Sequence, residues 1–324
     1  MPLLKQVLEV LDVVDSPEAS GKAVQALFAR AAAMGTATAA AAAVTVTVER
    51  VRGDKGETDF VKVTIPGERG KLAGGTAPTL GIIGRLGGLG ARPEQIGFVS
   101  DGDGAAAALA AALKLAEMRV RGDVLAGDVI VATHVCPDAP TQPHDPVPFM
   151  GSPVDPAMMN VHEVDPAMDG IFSIDTTKGN RLVNHRGIAL SAPVKEGWIL
   201  RLGDGLLDLY QNVTGCHPVI LPINMQDITP YGNGVHHLNS IMQPAVATRA
   251  PVVGIAITTV AMVPGSATGA SHEADIALAA TFAVEAAKLF GRGKLSLYDP
   301  AEYQRLVGLY GSMHTLQKQH SAGV

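Results

Sequence analysis

Several aspartates follow apolar segments that are typical of buried strands. Asp101 and Asp103 lie in the glycine-rich segment 98–104, just before an alanine-rich stretch, and Asp175 ends the apolar segment 171–175. The carboxyl ends of parallel strands meet at one edge of a sheet, where ligands bind, so we expect these carboxylates to share one cleft. In the alternative interpretation, Asp103 caps the following helix and the glycines only serve the turn.

Histidines and further carboxylates are concentrated in the later part of the chain. All ten histidines lie after residue 133, and His272 precedes a long apolar segment that is typical of a helix. His134 and Asp138 follow the apolar segment 128–133. Imidazoles and carboxylates bind divalent cations and also act as acids and bases. For any single histidine, a surface or core side chain satisfied by hydrogen bonds is the plainer alternative.

Two more segments have side chains suited to binding a substrate. His236 and His237 are adjacent and follow glycines that would let the backbone approach a ligand, although an exposed turn is the alternative. His185 and Arg186 precede a glycine, and Arg186 could clamp an anion or simply be a solvated or ion-paired surface residue.

The hydrophobic pattern predicts which elements position these residues. Residues 44–51 and 59–65 alternate apolar and polar side chains around a glycine turn, which predicts a β-hairpin after two short helices. Short apolar runs then alternate with glycine-rich turns and helices, as in α/β proteins. The fold class is therefore α/β, with a mainly parallel or mixed central sheet and helices on both faces. Predicted strands are 80–83, 128–133, 171–174, 219–221 and 252–258, and predicted helices are 104–118, 205–213 and 271–290.

The length of 324 residues favours a single α/β domain over 1–324, with the helices and hairpin of 1–67 packed on it. Residues 136–168 lack helix or strand periodicity, and such a long loop often carries function. We expect this loop to lie over the cleft.

Composition excludes several classes of protein. Hydrophobic residues make up 47% of the chain and charged residues 17%, which is incompatible with intrinsic disorder. A net charge of −6 without a basic stripe argues against nucleic acid as a partner. With two cysteines and no secretory or membrane-spanning pattern, we expect a cytoplasmic protein that is not bound to a membrane, with a homo-oligomer possible. Cys136, beside His134, could be a soft ligand or nucleophile, although a lone buried thiol is commoner.

The order of these features resembles the co-catalytic zinc aminopeptidase and carboxypeptidase superfamily over about residues 75 to 291. In that superfamily a bridging aspartate precedes an alanine-rich helix, an acidic pair follows the next strand, another carboxylate ends a later strand, and a histidine precedes the final helix. The resemblance implies an aminopeptidase-like core, a metal site formed by Asp101, Asp103, Asp175 and His272, and a general base at or near Asp138.

The sequence departs from that superfamily at two places. Gly84 and Arg85 stand where its first metal-binding histidine is expected, and its acidic pair is replaced by the segment from His134 to Asp138. One metal ion, another ligand set or no metal are therefore alternatives. The whole chain also resembles an uncharacterised bacterial and archaeal family, the domain of unknown function numbered 1177, in segments such as 98–104, 226–234 and 267–271. That family implies no activity.

The leading hypothesis is a metal-dependent hydrolase of a small amide or peptide-like substrate, with zinc, or else manganese, as the cofactor. His134 and Asp138 are its catalytic candidates. A non-catalytic small-molecule binding or assembly protein is the second hypothesis. A nucleotide-dependent enzyme ranks lower, because the glycine-rich segment 84–90 follows a predicted strand but does not match the dinucleotide fingerprint.

Overall fold

The computed structural model describes residues 3–33, 44–235, 240–263 and 266–318, and one mixed sheet of ten strands organises them. The strands of this sheet are β1 (Thr45–Gly53), β2 (Gly56–Ile65), β3 (Leu80–Gly84), β4 (Val129–Val135), β7 (Gly170–Thr176), β8 (Gly187–Ser191), β9 (Val194–Lys195), β10 (Trp198–Ile199), β11 (Ile220–Leu221) and β12 (Val252–Thr258), and a separate two-stranded ribbon consists of β5 (Thr141–Gln142) and β6 (Phe149–Met150). The order in the sheet is β1-β2-β4-β3-β7-β12-β8-β11, with β9 also paired to β12 and β10 to β9.

The central strands β4, β3, β7 and β12 run parallel to one another, so their carboxyl ends meet at one edge. Antiparallel strands flank them, with β2 beside β4 and β8 beside β12. The predicted mixed α/β sheet is thus confirmed. Every residue of β3, β4 and β12 is buried, and these strands are mainly apolar, as is typical of strands covered on both faces.

Helices cover both faces of the sheet. The helices are α1 (Leu4–Val14), α2 (Gly21–Ala33), α3 (Asp103–Val120), α4 (Pro156–Glu163), α5 (Asp204–Thr214), α6 (Glu273–Phe290) and α7 (Pro300–Tyr310), with 3-10 helices at Lys71–Ala73, Ser100–Gly102, Ser240–Val246 and His314–Gln317. One face packs against α1, α2, α3, α5 and α6, and the other against α4 and the 3-10 helix Ser240–Val246. Across the residues described, no helix is long and apolar enough to cross a membrane.

The predicted hairpin is confirmed and extends the main sheet. Strands β1 and β2 are antiparallel with Gly53 opposite Gly56, and β2 continues the sheet by pairing Ile65 with Val129 of β4. Residues 45–65 are therefore part of the central sheet, with β1 at its edge, and not only a segment packed on its surface.

Helix α3 is buried on all sides over residues 103–118. Alanine is the strongest helix former, and its small side chain lets α3 fit between the sheet and helices α1 and α6. The start of the helix lies on β7, since a Cβ atom on Gly104 would lie 2.4 Å from the carbonyl oxygen of Ile174. Glycine at this position thus brings Asp103 to the carboxyl edge of the sheet.

Two local predictions differ from the structure, and the segment 84–90 agrees with the sequence in not matching a dinucleotide-binding turn. The segment before Asp101 is a loop that leads into a 3-10 helix, not a strand. The loop 136–168 contains β5, β6 and α4, whose few residues are too short to show periodicity. The segment 84–90 opens no helix; its backbone bonds to residue 136 of the loop, with Cys136 N–H donating to Gly87 at 3.1 Å. It therefore lacks the strand-turn-helix geometry that binds dinucleotides.

Candidate active site

Asp101, Asp103 and Asp175 come together at the carboxyl edge of the parallel strands. Asp101 lies in the 3-10 helix Ser100–Gly102, Asp103 begins α3, and Asp175 is the penultimate residue of β7. All three are buried, and the charges of Asp103 and Asp175 both act on Asp101. The structure thus brings these three carboxylates to one edge of the sheet, and Asp101 among them lines a cavity there.

Lys178 supplies a cation to this carboxylate cluster. Its Nζ donates to Asp103 Oδ2 at 2.8 Å, and the Lys178 side chain is only 8% exposed. The second oxygen of Asp103 accepts a hydrogen bond from the Ser271 hydroxyl at 2.5 Å. Ser271, at the start of the predicted helix 271–290, therefore contacts this carboxylate. Both oxygens of Asp103 are satisfied by donors from distant segments.

Asp175 is likewise held by protein donors. Its Oδ2 accepts from the hydroxyl of Ser240 at 2.6 Å, and its Oδ1 accepts from the backbone N–H of Thr176 at 2.7 Å. The Thr176 hydroxyl donates to the carbonyl oxygen of Ser100 at 2.7 Å, which joins the end of β7 to the segment carrying Asp101. These bonds fix the relative positions of two of the carboxylates.

Burial and mutual repulsion raise the pKa values of the cluster. Burial, followed by the charges of Asp175 and Asp103, raises the pKa of Asp101 well above its ordinary value. Burial raises the pKa of Asp103 to about 6 against the opposing effect of Lys178. Burial also raises the pKa of Asp175 to about 6, while its bond to Ser240 opposes the shift. The cluster therefore retains protons at a pH where exposed aspartates are ionised.

A second buried cation lies next to the cluster. Arg85 is 1% exposed and donates to the fully buried Glu163 of α4 at 2.5 Å. Burial raises the pKa of Glu163 to about 7, and the charge of Arg85 lowers the pKa values of both Glu163 and Asp175. The Arg85 Nε and Glu163 Oε1 atoms are buried and have no hydrogen-bond partner among the residues that the structure describes. This ion pair is thus coupled electrically to the strand-end aspartates.

A cavity of about 330 Å³ opens at the cluster. Its floor includes the polar residues Asp101, Lys178 and Thr176, and its wall includes the apolar Phe149 and Met262. The other lining residues are Ser100, Gly179, Asn180, Val263 and Ser266.

One part of the long loop, around Phe149, reaches the cavity. Phe149 lies in the cavity wall, and Met150 N–H donates to the hydroxyl of Ser266 at 2.7 Å. Ala267 N–H in turn donates to the carbonyl oxygen of Pro148 at 3.2 Å. These bonds tie the loop to the segment before α6, across the cavity entrance.

His134 is held as a neutral side chain inside the sheet, where it does not line the cavity. The backbone N–H of Gly87 donates to Nε2 at 3.2 Å, so that nitrogen is an acceptor. Nδ1 lies 2.9 Å from the Thr58 hydroxyl, which itself donates to the carbonyl of Val135, so Nδ1 carries the proton. Burial lowers the pKa of His134 to about 3. The structure therefore gives no contact that supports the predicted catalytic role.

The remaining predicted site residues lie at other places. Asp138 is exposed and bonds to the buried Cys136, whose thiol pKa is raised to about 12 by burial. The burial keeps Cys136 a thiol, in line with the inert alternative. His272 is exposed just before α6, and its charge lowers the pKa of Asp103. A catalytic role for Asp138 and a ligand role for His272 stay predictions.

Two of the residues predicted to bind substrate, His185 and Arg186, are described by the structure, and neither lines the cavity. Arg186 is exposed and pairs with Asp275 of α6 at 3.4 Å, which is the surface ion-pair alternative. His185 is partly buried beside it. His236 and His237 lie outside the described residues.

Lys178, Arg85 and Glu163 are the parts of the site that sequence reasoning missed. Lys178 follows the strand-end Asp175 and Arg85 follows β3, so position along the chain gave a signal for both. Glu163 gave no comparable signal, because it ends a helix inside the long loop.

The described arrangement does not form a metal-binding group. Within residues 3–33, 44–235, 240–263 and 266–318, no three or more His, Cys, Asp or Glu side chains are placed so that they could hold a metal ion. The oxygens of Asp103 and Asp175 instead accept hydrogen bonds from Lys178, Ser271, Ser240 and the backbone.

Comparison with known proteins gives a family and a fold. A family model described as "Protein of unknown function (DUF1177)" matches residues 49–320. No curated protein matches the sequence.

Among solved structures, the chain is similar to a cytosol aminopeptidase from Coxiella burnetii, with a TM-score of 0.51, 14% identity, and coverage of 88% of this chain and 69% of that one. It is also similar to a bottromycin maturation enzyme, BotP, in complex with Mn, with a TM-score of 0.49, 16% identity, and coverage of 86% and 70%. A tomato leucine aminopeptidase mutant has a TM-score of 0.49, 12% identity, and coverage of 86% and 60%. The likeness to the Coxiella burnetii enzyme shows an aminopeptidase-like fold, as the sequence resemblance implied.

Proposed function

Because this chain belongs to the DUF1177 family and carries a buried acid-base cluster at an open cavity, we propose that it is a hydrolase of a small amide or peptide-like substrate. The observation that carries the proposal is the placement of Asp101 and Lys178 in the wall of one cavity at the carboxyl edge of the parallel strands. The aminopeptidase-like fold supports the choice of reaction by analogy alone.

Lys178 is the electrophilic group of the proposed site. Its ammonium group lines the cavity and is held by Asp103, so it can donate to a carbonyl oxygen bound there. Negative charge grows on that oxygen as water attacks the carbonyl carbon, and a fixed cation in a dry site stabilises this charge. Ser271 and the start of α3 fix Asp103, which in turn orients Lys178.

Asp101 is the proton carrier of the proposed reaction. Its carboxylate form accepts a proton from the attacking water as the new carbon–oxygen bond forms. When the carbon–nitrogen bond breaks, Asp101 returns that proton to the departing nitrogen, so protons and charges balance. Burial and the neighbouring Asp175 and Asp103 raise its pKa, which brings the group closer to neutral pH, where a carboxyl can both accept and donate.

A divalent cation, zinc or manganese, is the cofactor expected from the sequence, and the donor chemistry alone suits it, because carboxylate oxygens are hard ligands. The described arrangement does not fit such an ion. Lys178 already occupies Asp103, hydrogen bonds occupy both oxygens of Asp175, and no three-ligand group is present in the described residues. The proposed steps therefore use the chain's own residues.

The proposal is tested with a panel of aminoacyl anilides and dipeptides, in assays of the untagged full chain. We expect Asp101→Asn to lower kcat by about 10²–10⁴-fold, the usual contribution of general acid-base catalysis. Lys178→Met should lower kcat by about 10²–10³-fold. The matched control is Asp123→Asn, an exposed aspartate in the turn after α3, which should leave kcat unchanged.

Two outcomes would contradict this assignment. Loss of activity on Asp138→Asn with an active Asp101→Asn enzyme would move the base to Asp138. Saturable binding of a panel compound without turnover would favour the non-catalytic binding protein. That second function has one observation in its favour, the complete hydrogen-bond satisfaction of Asp103 and Asp175 by protein donors.

A further inference from the structure

The carboxylates of the cluster are suited to bind a metal ion, but their hydrogen bonds leave no metal-binding arrangement among the described residues. Three aspartates converge as they would around a metal ion, yet a lysine ammonium lies 2.8 Å from one of them. We infer that Lys178 is the resident cation of the Asp101, Asp103 and Asp175 cluster, and that its ammonium group keeps divalent metal ions out of the native site. The inference concerns the same cavity as the proposed function but does not depend on catalysis.

The position of the ammonium group supports this role. Lys178 is 8% exposed and Asp103 is fully buried, so their interaction is only weakly screened by water. A surface lysine has no comparable effect, because water and salt screen exposed ion pairs, which contribute little to stability. The Lys178 charge also reaches Asp101, whose pKa it lowers. One ammonium group thus pairs with Asp103 and also opposes the rise in the pKa of Asp101.

Arg85 provides a second buried cation, whose charge acts on Asp175. The guanidinium is 1% exposed, is paired with Glu163, and lowers the pKa of Asp175. A divalent ion that entered the native cluster would face two buried cations. To bind Asp103 Oδ2, the metal ion would have to displace the Lys178 ammonium group, which donates to that oxygen.

Removal of the ammonium group should convert the cluster into a metal site. In Lys178→Ala, the Asp103 carboxylate loses its cation and the side chain leaves open space beside Asp101 in the cavity. Carboxylates without a cation repel one another, and a divalent ion relieves this repulsion. The variant should therefore bind a divalent metal ion at this cluster, whereas the native chain should not.

The experiment measures metal binding directly, without an activity assay. Untagged native chain and Lys178→Ala are titrated with Mn²⁺, and bound ion is followed by electron paramagnetic resonance and by thermal melting. Native chain should bind no stoichiometric Mn²⁺ and keep its Tm. Lys178→Ala should bind one Mn²⁺ per chain, and its Tm should rise by about 5 °C at a hundredfold excess over the dissociation constant.

Three further variants keep the test decisive. Lys178→Arg retains a cation and should exclude Mn²⁺ as the native chain does. Lys62→Ala removes an ion pair of the same length, to Asp165, at a different place and should gain no metal. Lys178→Asn serves as a second opened site if Lys178→Ala does not fold.

The inference is overturned if native chain binds stoichiometric Mn²⁺, or if the folded Lys178→Ala and Lys178→Asn variants bind none. If the native chain hydrolyses none of the panel compounds, the proposed function is refuted, but the exclusion of metal ions by Lys178 is not. The two failures are thus distinguishable.

Discussion

Acidification should destabilise the protein through His134, because the fold holds this imidazole in its neutral form. Nε2 accepts a bond from the Gly87 N–H, so protonation there would place two donors against each other. Burial lowers the pKa of His134 to about 3, whereas a histidine in the unfolded chain has a pKa of about 6.5. The unfolded state therefore binds a proton that the folded state does not bind. The free energy of unfolding falls as the pH drops below about 6.5, the pKa of the unfolded histidine.

The expected size follows from the two pKa values. Between pH 7 and pH 5 the unfolded imidazole becomes almost fully protonated while the folded one stays neutral, which removes about 2 kcal/mol of stability. Other groups titrate over the same range, among them Glu163, so the comparison with His134→Gln isolates the effect. The stability difference between native chain and this variant should shrink by about 2 kcal/mol from pH 7 to pH 5.

Urea unfolding at both pH values, followed by circular dichroism, measures this difference. His185→Gln, at a partly buried histidine outside the sheet, is the matched control and should show no comparable change between the two pH values. If native chain and His134→Gln differ equally at pH 7 and pH 5, the folded imidazole takes up protons as readily as the unfolded one. That result would refute the buried neutral assignment and reopen a catalytic role for His134.

Two more stability predictions concern the elements around the site. Glu163→Gln leaves the Arg85 guanidinium buried without its paired carboxylate and should lower the free energy of unfolding in urea by about 3–5 kcal/mol. Replacement of both residues by Met should recover most of this loss. A double variant as unstable as Glu163→Gln would contradict this account. Gly87→Ala places a Cβ atom 1.6 Å from the carbonyl oxygen of His134 and should lower the free energy of unfolding by about 3 kcal/mol or more. The control Gly308→Ala, in open space on α7, should raise the free energy of unfolding by about 0.5–1 kcal/mol. Similar melting temperatures for the two variants would refute the steric argument.

The sequence alone determined the elements whose signal is local. Strand β12 was predicted with its observed bounds, Val252–Thr258, because a continuous apolar run between turns is sufficient to mark a buried strand. The hairpin followed from alternation around a glycine turn, and α3 followed from its alanine content. The strand end at Asp175 placed that residue at the carboxyl edge of the sheet. Asp101 and Asp103 reach the same edge although the strand expected before them is absent.

Elements with short or irregular sequences could not be predicted in the same way. Strands β9 and β10 have two residues each, which is too few to show any period, whereas β11 lies inside the predicted strand 219–221. The sequence also suggested that a strand precedes Asp101, where the chain forms a loop and a 3-10 helix. Hydrophobic runs indicate burial, but a short run does not distinguish a strand from a buried loop.

Only the tertiary structure decided which charges meet inside the site. Lys178 and Asp103 are 75 residues apart along the chain, and Arg85 and Glu163 are 78 residues apart, yet each pair is in direct contact. Nothing in the local pattern of either partner specifies the other, because the contact depends on how α3, α4, β3 and β7 pack together. The same packing separated His134 from the cavity by turning its side chain into the sheet interior, where desolvation keeps it neutral. Sequence periodicity determines which face of an element is buried, but the partner of a buried charge is set by the three-dimensional arrangement of those faces.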